Sequence, residues 1–138
     1  MTELIEFDDF QQVVLLLRAA MTLKFELSED DEILNGSPIY ASALTCLREG
    51  LISGVRAGSV PGKAQSYAEW YRLSGHPHRW EVVARRAISH PRWHDLSPVE
   101  VRQWVETVAS PLSVDDEGLA AVRSAAEEIL ARGQRDLP

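Results

Sequence analysis

The sequence predicts an all-α protein: a single helical domain over residues 1–133, built as a compact bundle of about six helices, then a frayed tail at 134–138. Three observations lead there. Apolar residues recur at spacings of three and four through most of the chain, the period of helices with one buried face. Ser-Pro, or Ser with an acid three residues on, stands before several of these stretches, and both patterns start helices. Alternation of period two, the mark of a strand, occurs in one convincing place only, where a strand would have no partner.

The first helix is predicted from about Glu3 to Met21. Phe7, Phe10, Val14, Leu17 and Met21 make one stripe, and Val13, Leu15 and Leu16 widen it, which predicts burial on more than one side. Glu3, Glu6, Asp8 and Asp9 lie in its first turns, where the helix dipole favours negative charge. The period-two segment follows: Leu23, Phe25 and Leu27 alternate with Lys24 and Glu26. It reads equally as a short extended segment over 22–27 or as continued helix. Asn35-Gly36 marks a turn.

Ser37-Pro38 opens the second helix, whose stripe of Tyr40, Ala43, Leu44, Leu47 and Leu51 runs to about Ile52. A Gly-rich loop leads to a helix from Lys63 to Leu73, and another is expected from Pro77 to Ser89 with Trp80, Val83, Ala84 and Ala87 on one face. Ser97-Pro-Val-Glu100 is a capping box ahead of Val101, Trp104, Val105 and Val108. The last helix starts within residues 113–116, buries Leu119, Val122, Ala126 and Ile129, and is expected to end at Gly133.

Charge is uneven. Residues 1–36 hold nine acids and two bases, 37–105 five acids and nine bases, and 106–138 seven acids and three bases, within a net charge of −7. The net acidity weighs against general nucleic-acid binding, which needs a positive field. Lone Cys46 cannot form an internal disulfide, so it reads as a small buried residue. The opening MTELIEFDDF lacks the basic-then-apolar order of a secretory signal, and the apolar run 13–17 is too short to cross a bilayer. The expectation is a cytoplasmic protein away from membranes, with no cofactor.

All four histidines fall in two related stretches, SGHPHRWEV (74–82) and ISHPRWHDL (88–96). Imidazoles can ligate zinc, but His76 and His90 each precede proline, which pushes them out of helical geometry. Both stretches read instead as helix starts, with Ser74 and Ser89 as caps and no metal or catalytic residue assigned. The loop at 54–66 resembles a phosphate-binding loop only in Gly62-Lys63; Ala57 and Ala64 stand where that motif requires Gly and Ser or Thr.

What remains are partner-binding candidates. Acids Glu29, Asp30, Asp31 and Glu32 form an exposed run without the spacing of a calcium loop. Arg56 and Lys63 sit in the Gly-rich loop region, Arg85 and Arg86 on the Pro77 helix, and Arg92 and Trp93 in a polar segment that makes Trp93 the expected partly exposed anchor. Trp80 and Trp104 are expected in the core. These features predict a protein-binding module of the inhibitor, antitoxin or immunity-like kind, with another protein as partner. A nucleic-acid-binding regulator using Arg85 and Arg86 ranks second, and a His-based metal protein or enzyme third.

Overall fold

The computed structural model of the chain describes residues 7, 9–27, 36–56 and 62–135. Among them are six α-helices: α1 (Phe10–Thr22), α2 (Pro38–Arg56), α3 (Lys63–Trp70), α4 (Pro77–Ile88), α5 (Pro98–Ala109) and α6 (Asp116–Arg135). No strand occurs among the described residues; the nearest thing is an isolated parallel bridge between Arg72 and Ser113. No helix among them is long and apolar enough to cross a membrane.

Each helix starts for a legible reason. Asp9 caps α1, its side chain accepting from the Gln11 N–H at 3.0 Å. The Ser37 hydroxyl accepts from the Tyr40 N–H at 3.1 Å ahead of Pro38. Before α3, Gly62 takes φ +83°, a left-handed conformation open to glycine at little cost. The capping box of α5 forms in full: Glu100 N–H donates to the Ser97 hydroxyl at 3.2 Å, and Ser97 N–H donates to the Glu100 carboxylate at 3.0 Å. Asp116 and Glu117 occupy the first turn of α6, favourably placed against its dipole.

Several local expectations change. Of the readings open for residues 22–27, continued helix holds and the extended ones do not: residues 23–27 form a π-helical turn that continues α1. Continued helical winding keeps their backbone groups bonded within the segment, which a solitary strand would not do. Pro77 opens α4 with His76, not Ser74, at the N-cap position. Pro91 opens nothing; α4 ends at Ile88, a short 3-10 turn spans Trp93–Asp95, and the next helix waits for Ser97. Serine at 89 closes a helix instead, its hydroxyl donating to the Arg86 carbonyl at 2.6 Å. Helix α6 runs through Gly133 to Arg135, because an interior glycine weakens a helix by about 1 kcal/mol without ending it.

Helix α1 packs on α2, α2 touches both α3 and α5, and α4 lies against α5 and along α6. One apolar cluster joins them, with Leu17, Leu44, Leu51, Leu73, Val83, Val105 and Val122 all deeply buried. The stripes predicted for α5 and α6 are the buried faces, with Trp104, Leu119 and Ile129 partly buried at their margins. Trp80 likewise packs at the edge, where both indoles find acceptors: Trp80 Nε1 donates to the Leu73 carbonyl at 2.8 Å and Trp104 Nε1 to the Ala87 carbonyl at 3.1 Å. In α2, Ala41 takes the buried place expected for Ala43. Cys46 lies on α2 but is exposed, contrary to its expected burial.

Candidate functional site

Helix α1 buries Val13, Val14, Leu17, Ala20 and Met21. A helix turns 100° per residue, so Leu15, Leu16 and Ala19 fall on the far side. Leu15 is 62% and Leu16 48% exposed, and Ala19 is exposed between them. The burial expected on this second side is therefore absent. Arg18 is the single charged residue within α1, so both faces of the helix are dominated by uncharged side chains. Gln12, Leu16, Ala19 and Leu23 recur at spacings of four, three and four, the seam of a helix that meets a second helix. Asp9 stands exposed at one end and Glu26 at the other. Phe10 sits at the start of α1, with the Lys63 ammonium 4.5 Å above its ring.

A second arrangement lies inside. The π turn carries Lys24 into full burial, where its Nζ donates to the Thr107 carbonyl at 3.2 Å and to the Ser110 hydroxyl at 2.8 Å. Burial, reinforced by the positive charge of Arg86, lowers its pKa to about 7. Arg86 is itself buried, donating to the carbonyls of Lys24 and Val108, with its guanidinium 4.9 Å from the Phe25 ring. These contacts fasten the end of α1 to α4 and to the C-terminal turn of α5. The period-two reading put Lys24 on a polar face and missed this. The usable signal was the α1 stripe, since Leu17 and Met21 lead at helical spacing to position 24.

The histidines do not converge. His76 and His78 stand at the start of α4 and His90 and His94 beyond its end, separated by a helix of about 18 Å. Among the described residues no group of three or more His, Cys, Asp or Glu is placed to hold a metal ion. His76 is a buried joint: its Nε2 lies 2.6 Å from the Trp70 carbonyl and its Nδ1 2.6 Å from the Arg79 guanidinium. A carbonyl accepts and a guanidinium donates, which assigns the neutral Nε2–H tautomer. Burial lowers its pKa against the opposing pull of the Trp70 carbonyl, and the charge of Arg79 adds to the lowering. We expect His76 to titrate below 6.5 in the folded chain, so that its stabilising contribution is lost as pH falls from 6.5 through its folded value. Heteronuclear NMR of the imidazole reads both the tautomer and the titration; a midpoint above 6.5 contradicts this assignment.

The other sequence candidates scatter. Glu29, Asp30, Asp31 and Glu32 lie outside the described residues, as does the Arg56 side chain at the end of α2. Lys63 is half-buried at the start of α3 over Phe10. Arg85 is exposed and 3.6 Å from Glu81 one turn back, whereas Arg86 points into the core. The expected exposed Arg85–Arg86 pair is thereby broken up, because adjacent helical residues face different directions. Arg92 is exposed, its backbone N–H bonded to His90 Nδ1 at 3.0 Å. Trp93 is half-buried at a cleft of about 400 Å³ shared with His94, Arg123, Glu127, Leu130 and Gln134. Trp70, at 52% exposure, is open to solvent to a degree that Trp93 is not. Compared with known proteins, the chain matches no family model, no curated protein and no solved structure.

Proposed function

We propose that this chain is a cytoplasmic protein-binding module, acting as an inhibitor, antitoxin or immunity-like partner through hydrophobic and electrostatic docking. The supporting observation is the outer face of α1, where Leu15, Leu16 and Ala19 are exposed on a helix whose other face is already in the core. Isolated exposed leucines are ordinary on protein surfaces. Here they share one face of a helix with a single charge, which is the composition of an interface centre. The acidity of this part of the sequence, nine acids against two bases in residues 1–36, suits a basic target and speeds encounter with it. The separation of Arg85 from buried Arg86 takes away the cationic pair on which a nucleic-acid reading relied.

Replacing Leu15 and Leu16 together by Glu should abolish retention of the partner while leaving the far-ultraviolet circular dichroism and thermal midpoint nearly unchanged. The check is affinity capture with the native and doubly substituted chains as parallel baits, with nuclease present. Equal retention by both baits discards α1 as the docking face.

A further inference from the structure

We propose that the cleft beside Trp93 is a binding site for an α-amino acid with a large apolar side chain. The cleft holds about 400 Å³, within the range of sites that take small molecules. It lies between the 3-10 turn at Trp93–Asp95, the start of α5 and the C-terminal half of α6. No residue of α1 lines it, so it is independent of the docking face proposed above.

The floor of the cleft is apolar. Leu96, Val101 and Leu130 line it beside the half-buried Trp93 ring, which offers a flat surface to an aromatic or branched side chain. The rim is charged, with exposed Arg123 and Glu127 one turn apart on α6. Opposite charges at that spacing can pair, yet these two make no ion pair with each other, and neither has another partner among the described residues. The indole N–H of Trp93 likewise donates to no group among the described residues, whereas those of Trp80 and Trp104 are bonded to carbonyls.

These unpaired groups set the chemistry of the ligand. A plain carboxylate would be drawn to Arg123 and repelled by Glu127, and a plain amine the reverse. A molecule that carries both charges satisfies both residues. The Cβ atoms of residues one turn apart lie about 5–6 Å from each other, so the two charges of the ligand must also be close, as the ammonium and carboxylate on one carbon are. The carboxylate goes to Arg123 in a charge-assisted hydrogen bond, with the Trp93 N–H as a second donor. The ammonium goes to Glu127, and the side chain covers the floor.

The test is a titration of the full chain with L-phenylalanine, N-acetylphenylalanine and phenylalaninamide, followed by heteronuclear NMR. Phenylalanine should give saturable shifts at the Trp93 indole and at the Leu130 and Ala131 amides. Each blocked ligand lacks one charge and should bind about tenfold more weakly. Glu127→Gln should weaken phenylalanine about tenfold and strengthen N-acetylphenylalanine, because a repulsion is removed; Arg123→Gln should weaken phenylalanine and strengthen phenylalaninamide. Both residues are exposed, so neither variant should alter the circular dichroism. Equal affinity for the three ligands overturns the proposal, as do variants that bind phenylalanine like the parent, or shifts at Trp93 that fail to appear by about 10 mM ligand.

Discussion

The free energy of unfolding should rise as pH is raised from about 7 towards 10, and Lys24→Met should remove most of that rise. Lys24 has no exposed surface, and its ammonium meets a carbonyl, a hydroxyl and the nearby Arg86. Removal from water disfavours the charged form first, and the neighbouring guanidinium adds to it, so the folded pKa falls from 10.5 to about 7. The sign follows directly. Between those values the unfolded chain binds a proton at Lys24 that the folded chain has shed, so unfolding takes up a proton and becomes harder as protons grow scarce. The limiting slope is about 1.4 kcal/mol per pH unit, on the order of 3 kcal/mol over two units. Below pH 7 both states hold the proton and Lys24 adds no slope. Tyr71, whose pKa burial raises, works in the opposite direction above pH 10, so urea titrations belong between pH 6.5 and 9.5. In Lys24→Met the apolar stem remains and the desolvated charge is gone. The variant should therefore match or exceed the parent at pH 6.5 and fall behind it at pH 9.5. A flat parental profile, or a slope that persists in the variant, would show that Lys24 is not the group responsible.

The same residue marks how far the sequence could be read. Helix starts were legible at Ser37 and Ser97, whose side chains bond their own helices, because such bonds depend on local spacing alone. The stripes of α5 and α6 were legible for the same reason. Asp9 reads as interior to a helix begun at Glu3, whereas it caps a helix that starts at Phe10. The segment 22–27 was not, because alternation over six residues and continued helical winding place the same side chains differently, and only the contact with Thr107 and Ser110 decides between them. Pro91 misled because proline restricts the backbone without obliging a helix to follow. Of the candidate site, the charges were visible but their sides were not: Arg85 and Arg86 look alike in sequence and part company in space. The outer face of α1 was hidden by abundance. Periodicity marked the buried stripe of Val14, Leu17 and Met21, but the apolar Leu15 and Leu16 beside it looked like a wider core face and not an exposed one.

Gly118→Ala should destabilise the fold by about 1–3 kcal/mol, a cost of the overpacking kind. Gly118 lies in the first turn of α6, where a Cβ would stand 2.9 Å from the Leu73 Cβ, 3.0 Å from the Ser74 backbone nitrogen and 2.7 Å from the Asp115 carboxylate. The carboxylate could swing aside, but it accepts the Ser74 N–H at 3.1 Å, so moving it breaks a bond that positions the 3-10 turn at Leu73–Gly75. Burial acts to raise the Asp115 pKa, and hydrogen bonds from Ser74 together with those from the Asp115 and Gly118 backbone hold the group below its ordinary value. The backbone nitrogen cannot swing at all. Helix α6 must then retreat from the turn and loosen Leu73, which is wholly buried. Alanine ordinarily strengthens a helix relative to glycine by about 1 kcal/mol, so a loss in urea denaturation isolates the steric effect. A variant as stable as the parent would mean that the turn yields without cost.

The paired backbone at residues 71–73 and 112–114 carries a consequence for cooperativity. Ser113 N–H donates to the Tyr71 carbonyl at 2.7 Å and Leu73 N–H to the Ser113 carbonyl at 2.9 Å. Arg48 reaches the Pro111 carbonyl at 3.0 Å and Arg102 the Val114 carbonyl at 2.8 Å. Three stretches of chain, at Arg48, residues 71–73 and Arg102, are thus tied to one linker. The linker that leads into α6 cannot open without breaking these bonds, and amide exchange at Leu73 and Ser113 should report the opening of the molecule as a whole.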